Sequence, residues 1–391
     1  MDRDIPTKVA TSFKDSVDND YIYLYETVDT RFVDDDPPHF PQMCSIIPGL
    51  ADKPQAPPKT PDLSSRRDKD PLQSLTGWHR GEHVLDLTSP SNARYSVVHN
   101  LHALAPEHCM LVPFFDPDGE GPHPFRPQTS GLNEDDLWTA WRVVRAYAEA
   151  GRETTAFFNG GPLAGASQPH LHIQFIPHQH GRAFGPEHLA RALPPLEPVS
   201  DRPGAQPLPA RLPVPWVNLY LPLPFSSPSS SSNGASPSSP SPSLDTLTPA
   251  ALHRTYTALL AARDALVAAQ LADPATAPHV PRDEGGRRAS HNVFLTRGHM
   301  HLVPRTERLV EVPRRAPASS GEKEKDDEEE GGDKDGADSK LAISLNGLVY
   351  LGFWAAASER DWADLCALGL GEVLARAGYR NDEWRAEGEG R

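Results

Sequence analysis

The 391-residue sequence predicts an α+β fold in which an antiparallel β-sheet core, built as two related halves, is flanked by helices. Three observations carry that expectation. Short apolar runs bounded by turn residues read as strands and come in neighbouring pairs: 96–98 with 109–112, 155–158 with 170–177, and 291–295 with 299–303. Longer segments with helical spacing of apolar residues stand between the pairs. The sequence also echoes itself, His99-Asn100 leading to Leu111-Val112-Pro113 and His291-Asn292 to Leu302-Val303-Pro304, as a duplicated sheet unit would.

The first 90 residues alternate helical-looking stretches with proline-rich coil, and Ala56 to Lys69 reads as an exposed loop. Pro106-Glu107 turns the chain between the first two strands. Asn133 caps a helix, Asp136 stands three residues on, Leu137, Trp141, Val144 and Ala148 mark its apolar face, and Gly151 ends it. Thr155 to Phe158 is then a strand, Asn159 to Ala166 a glycine-rich loop, and His170 to Pro177 a second strand. Leu252 to Leu271 is an alanine-rich helix. A strand is expected near Ala342 to Tyr350, then one closing helix capped by Ser358, with Asp361 three residues later and Gly378 as its stop.

Two segments lack the apolar content to pack. Ser226 to Ser243 is almost wholly serine and proline, and Gly321 to Asp338 holds ten acids and three lysines. The expected organisation is an N-terminal catalytic part at 1–225, a disordered Ser/Pro insertion at 226–247, and a C-terminal part at 248–391 that carries a disordered acidic insertion at 316–340.

That acidic run supplies −7 of the net charge of −15, and the remainder is ordinary for this length. No basic footprint for nucleic acid stands out. Three scattered cysteines, Cys44, Cys109 and Cys366, suit reduced thiols. The start, MDRDIPTKVATSFKD, lacks the apolar core of a signal peptide, and no apolar run is long enough to span a bilayer. The expectation is a cytoplasmic or nuclear protein with no membrane partner, either a monomer or a small homo-oligomer.

The chemistry is concentrated in Gln168-Pro169-His170-Leu171-His172-Ile173-Gln174-Phe175-Ile176-Pro177. On a strand, His170, His172 and Gln174 share one face and Leu171, Ile173 and Phe175 the other. Just upstream lie Asn159, Gly160, Gly161, Gly165, Ala166, Ser167 and Gln168. Glycines admit close anion approach, and Ser and Gln add uncharged donors. A neutral nitrogen nucleophile beside such donors is what phosphoryl transfer needs. Most isolated histidines have no such task, and two on one strand could instead bind zinc, but no third ligand stands nearby in sequence.

The run NGGPLAGASQPHLHIQFIP resembles the signature of fungal-type ATP adenylyltransferases (diadenosine tetraphosphate phosphorylases), of the histidine-triad superfamily. The His-x-His-x-Gln pattern marks this transferase branch, since hydrolase branches carry a third histidine at the place of Gln174. The likeness extends along most of the chain. It takes in Leu50-Ala51-Asp52-Lys53-Pro54, Asp70-Pro71, Gln128-Thr129-Ser130 with Leu132, Leu221-Pro222-Leu223-Pro224-Phe225, Ser290 to Arg305, Leu345 to Leu348 and Ala377-Gly378-Tyr379. It implies a histidine-triad-like fold and phosphorolysis of diadenosine tetraphosphate (Ap4A) by inorganic phosphate to ADP and ATP through an adenylyl-His172 intermediate. Gln174 would hold the phosphoryl oxygens and His170 would orient His172. The polyphosphate would be bound by Asn159, Gly160, Gly161, Gly165, Ala166, Ser167 and Gln168, with Lys53, Asn100, Gln128, Thr129 and Asn292. Mg2+ would accompany the nucleotide, and no organic cofactor is implied. The chain departs from the family where Asn-Lys-Phe is usual and Asn100-Leu101-His102 stands instead. The histidine row also resembles that of sugar-phosphate uridylyltransferases, and the missing lysine admits a weakened nucleotide-binding protein.

Overall fold

The computed structural model of the chain describes residues 2–35, 40–50, 72, 81–115, 124–178, 183–196, 208–223, 247–273, 275–276, 290–315, 340–381 and 384. In chain order these form α1 (Ile5–Asp18), β1 (Tyr23–Leu24), β2 (Asp29–Asp35), β3 (Phe40–Ile46), β4 (His83–Thr88), β5 (Arg94–His99), β6 (His102–Ala103) and β7 (Cys109–Pro113). Next come α2 (Glu134–Glu149), β8 (Thr154–Gly160), β9 (Ile173–Pro177), α3 (Gly185–Ala192), β10 (Ala210–Arg211), β11 (Leu219–Pro222) and α4 (Pro249–Ala272). The chain ends with β12 (His291–Leu295), β13 (His299–Pro304), β14 (Leu309–Pro313), β15 (Lys340–Ser344), α5 (Gly347–Tyr350), β16 (Phe353–Ala356), α6 (Glu359–Leu368) and α7 (Leu370–Ala377).

The centre is a nine-stranded sheet in the order β10-β11-β13-β12-β8-β9-β7-β5-β4. Every pairing in it is antiparallel. The two expected parts of the chain share this sheet, because β8 pairs with β12 from His291↔Gly160 to Leu295↔Ala156. One face packs on α1, α2 and α4 through residues such as Val9, Trp141, Leu259, Leu111, Phe158, Phe175 and Leu302. The other face, with Phe157, Ile176, Tyr220, Phe294 and Val303, packs on α3, α5 to α7 and the small sheet β16-β3-β2. Alternating side chains along each strand supply both faces, so the sheet is buried twice over.

The capped helix stands as read: Asn133 accepts from the Asp136 N–H and Asp136 from that of Asn133, a reciprocal pair. Thr248 caps α4. Other expectations are corrected. The closing helix breaks at Gly369, whose φ of 88° ends α6 and starts α7. The strand expected near Ala342 to Tyr350 stops at Ser344, because the Asn346 side chain accepts from Leu348 N–H and starts α5. The His-Asn echo is not a structural repeat: His99 pairs with the start of the next strand at Cys109, whereas His291 pairs with the end of its neighbour at Pro304. Most of the two expected insertions lies outside the described residues; of their last residues, Leu247 is buried and Lys340 opens β15. The loop expected at Ala56 to Lys69 also lies outside them.

Candidate active site

The strand expected from His170 is regular only from Ile173, and the cause is a pairing with an earlier segment. Leu171 N–H donates to the Arg126 carbonyl (2.8 Å) and Gln128 N–H to that of Pro169 (2.7 Å), so the chain here pairs with 126–128. The buried Gln128 amide completes this pairing. Its oxygen accepts from His172 N–H (2.7 Å), and its nitrogen donates to the carbonyls of Asn159 (3.0 Å) and His172 (3.3 Å). One side chain therefore holds the His172 backbone at both ends and ties it to the end of β8. Leu171, Ile173 and Phe175 still share the α2 face, as expected.

His172 is almost fully buried, and its Nδ1 lies 2.9 Å from the His170 carbonyl oxygen. A carbonyl only accepts, so in the neutral ring Nδ1 carries the proton and Nε2 keeps its lone pair. The orienting group is thus the His170 backbone. The His170 ring packs against Phe115 (centroids 5.2 Å apart, edge-on) and Phe125 (5.1 Å).

Gln174 is half-buried and faces away from the α2 core. Its Oε1 lies 3.0 Å from His108 Nε2 and 3.5 Å, at the outer limit of a hydrogen bond, from Asn100 Nδ2. Asn100 Nδ2 donates to this oxygen, and with its proton on Nε2 His108 donates to it too, which leaves the Gln174 NH2 as a donor to other groups. Asn100 is itself fixed: its N–H donates to the His108 carbonyl (2.9 Å), and its Oδ1 accepts from His102 N–H (3.0 Å). Sequence reading missed His108. It precedes β7, and only the Met110↔Gln174 register brings it to the site.

The glycine-rich loop departs from its expected role. A Cβ on Gly161 (φ 104°) would lie 2.5 Å from Ser290 Oγ, and one on Gly165 (φ 84°) would lie 2.6 Å from Asn346 Cβ. Packing and backbone conformation explain both glycines without any anion. The N–H groups of Gly161, Leu163, Ala164, Gly165 and Ala166 already bond within the protein, and Gly160 lies within the β8–β12 ladder. Ser167 is exposed and Gln168 half-buried, and neither has a hydrogen-bond partner among the described residues. The available donors therefore stand at 167–168, next to the histidine segment.

Behind the loop lies a buried polar chain. Asn159 Oδ1 accepts from Asn292 Nδ2 (2.8 Å) and Gly347 N–H (3.0 Å), and Asn292 Nδ2 also donates to the Ala164 carbonyl (2.9 Å). Asn292 Oδ1 accepts from Arg305 (2.8 Å). Arg305 is wholly buried, its other donors go to the carbonyls of Ala377, Glu307 and Leu345, and it stacks over Tyr350 at 4.6 Å. Burial lowers its pKa, and no carboxylate partner is present among the described residues. An uncompensated cation two hydrogen bonds behind the loop favours a polyanion in front of it. Asn159 and Asn292 thus shape the loop, Thr129 is exposed in the turn after Gln128, and Lys53 lies outside the described residues.

Among the described residues no helix is long and apolar enough to cross a membrane. Cys44 and Cys109 are buried thiols and Cys366 is an exposed one, none of them in a disulfide.

Comparison with known proteins gives the chain relatives in one family. The ATP adenylyltransferase C-terminal domain family matches residues 214–380 and the Ap4A phosphorylase N-terminal domain family matches 122–191. Protein APA1 of Saccharomyces cerevisiae is 26% identical over 232 residues, 57% of this chain and 63% of that protein. Diadenosine 5',5'''-P1,P4-tetraphosphate phosphorylase 2 of the same yeast is 29% identical over 149 residues, 35% of this chain and 40% of that protein. The chain thus matches less than two thirds of the length of either relative. The crystal structure of yeast Ap4A phosphorylase Apa2 in complex with AMP superposes with a TM-score of 0.62 at 18% identity over 97% of both chains. Its complex with Ap4A gives 0.63 at 18% identity, over 96% of this chain and 97% of that one. With two matching domain families in the right order on the right fold, this chain belongs to the ATP adenylyltransferase (Ap4A phosphorylase) family.

Proposed function

We propose that the protein is an ATP adenylyltransferase that cleaves Ap4A with inorganic phosphate through an adenylyl-histidine. The observation that carries this reading is the His172 tautomer: Nδ1 donates to the His170 carbonyl, so Nε2 is the nucleophile. Nε2 attacks the α-phosphorus of one adenosine, the bond to the bridging oxygen breaks, and ATP leaves with that electron pair. A phosphate oxygen then attacks the same phosphorus, the P–N bond breaks, and ADP leaves with His172 restored. Both half-reactions are reversible.

Gln174 presents its NH2 to the transferring phosphoryl oxygens because His108 and Asn100 hold its amide oxygen. A neutral amide offers the same donors in both half-reactions. Ser167 and Gln168 bind the phosphate chain, while Gln128, Asn159 and Asn292 position the histidine segment and the loop. Magnesium enters as the complex of the polyphosphate substrate. Incubation with Ap4A and phosphate should give ADP and ATP in equal amounts at a rate that depends on phosphate. Release of AMP independent of phosphate would identify a hydrolase and overturn the assignment.

A further inference from the structure

A second histidine pair stands on β13, away from the reaction. The strand is regular there, so Met300 and Leu302 enter the α2–α4 core, while His299, His301 and Val303 face the opposite layer. The first turn of α3 brings Glu187 against them. Its Oε2 lies 3.0 Å from His299 Nδ1 and 3.7 Å from His301 Nε2, and ligand-capable atoms of all three residues lie within 4.8 Å of one another.

Three features go beyond an internal ion pair. His301 is wholly buried, yet neither of its ring nitrogens makes a hydrogen bond. The 3.7 Å to Glu187 is too long for a hydrogen bond, and a buried imidazole held only by so long a contact is costly to keep unless something else takes its lone pair. Tyr220 stacks on the ring at 5.9 Å and 20°, which fixes its direction. Glu187 Oε1 is held by Arg191 Nε (2.7 Å), and Arg191 is shared with Glu153, so Oε2 alone faces the histidines. Ligand bonds of about 2.0–2.1 Å to a tetrahedral ion put neighbouring ligand atoms about 3.3 Å apart. The observed separations of 3.0 and 3.7 Å straddle that value. Two imidazoles and one carboxylate are a borderline donor set that suits zinc better than calcium or magnesium.

We propose that Glu187, His299 and His301 bind one divalent transition-metal ion, zinc by chemistry, as a structural site that pins α3 to β13. Thr296, whose hydroxyl also bonds Glu187 Oε2, keeps the carboxylate monodentate. The site lies on the far side of β12 and β8 from β9, so it contributes to stability and not to the transfer step.

The full chain is stripped with a chelator, reloaded with zinc, desalted and assayed by elemental analysis. Parallel loading with cobalt(II) reports the coordination by visible absorption. Wild type should keep one metal per chain and melt several degrees higher loaded than stripped. His172→Ala should match it in both respects. His299→Ala, Glu187→Gln and His301→Ala should each lose most of the metal and the metal-dependent part of the melting shift. Should His301→Ala fail to fold, as circular dichroism would show, the two milder variants decide. Wild type that retains no zinc or cobalt after desalting would overturn the proposal. Variants that retain as much as wild type would overturn it too.

Discussion

Two His-x-His pairs with the same spacing sit on either side of the β8–β12 seam, and they have opposite characters. Each follows its seam strand in sequence: His170-Leu171-His172 leads into β9, and His299-Met300-His301 opens β13. In the second pair the strand is regular, so both rings face one side and meet Glu187. In the first pair Gln128 takes over the backbone, and His172 turns back onto the carbonyl of its own His170. A histidine bonded to a carbonyl has a fixed tautomer and a directed lone pair, whereas two histidines sharing a carboxylate form a ligand set. Spacing alone does not separate a nucleophile from a metal site; the group that each ring meets does.

The strongest way to break this comparison is His172→Ala. Phosphorolysis should fall by roughly 10³-fold or more, because the variant lacks the nitrogen that carries the covalent intermediate. Labelled adenylate should be trapped on wild type and not on the variant. Equal labelling of both would move the nucleophile elsewhere. Next in size is Gln174→Ala, for which kcat should drop by about 10²-fold through loss of a transition-state donor. His108→Phe should reproduce part of that loss with little change in KM, since it frees the Gln174 amide without removing it. A KM effect alone would mean that Gln174 binds substrate and transition state equally.

A third buried histidine separates burial from function. His99 packs edge-on against Phe13 and touches Ser12 Oγ at 2.8 Å, and burial pushes its pKa down from 6.5 to about 4. The unfolded chain takes this proton near 6.5 and the folded chain only near 4. Stability is therefore complete above pH 6.5 and lost progressively as pH falls through about 4. A shift of that size corresponds to at most about 3 kcal/mol. His99→Gln should flatten the melting temperature between pH 6.5 and 4, whereas an unchanged slope would place the titrating group elsewhere.

The legible parts of this molecule are those set by local chemistry. The Asn133–Asp136 cap, the β12–β13 pair and the shared face of Leu171, Ile173 and Phe175 all follow from nearest neighbours and alternation. What stayed hidden depends on pairing between distant segments. His108 reaches Gln174 only through the β7–β9 register, and Glu187 reaches His299 and His301 only because α3 crosses β13. The glycine-rich loop misled for a related reason: its glycines answer to Ser290 and Asn346, more than a hundred residues away. Gly369 was the reverse case, a local signal outweighed by the helical pattern on both of its sides.

The smallest expected effect sharpens the substrate side of the comparison. Leu101 is 44% exposed in the turn after β5, next to Asn100, at the place where the resemblance leads one to expect lysine. Its carbonyl accepts from Tyr23 N–H (2.8 Å), so the backbone is held and a new side chain would not disturb the turn. Leu101→Lys should lower KM for Ap4A by a few-fold at low ionic strength, with kcat unchanged. An exposed charge within reach of a polyphosphate is worth about 1 kcal/mol at most and is screened within about 8 Å at physiological salt. The gain should therefore shrink as salt rises. A gain independent of salt would point to a specific contact made by the lysine. No gain at all would mean that Arg305, behind the loop, already supplies the attraction expected of that lysine.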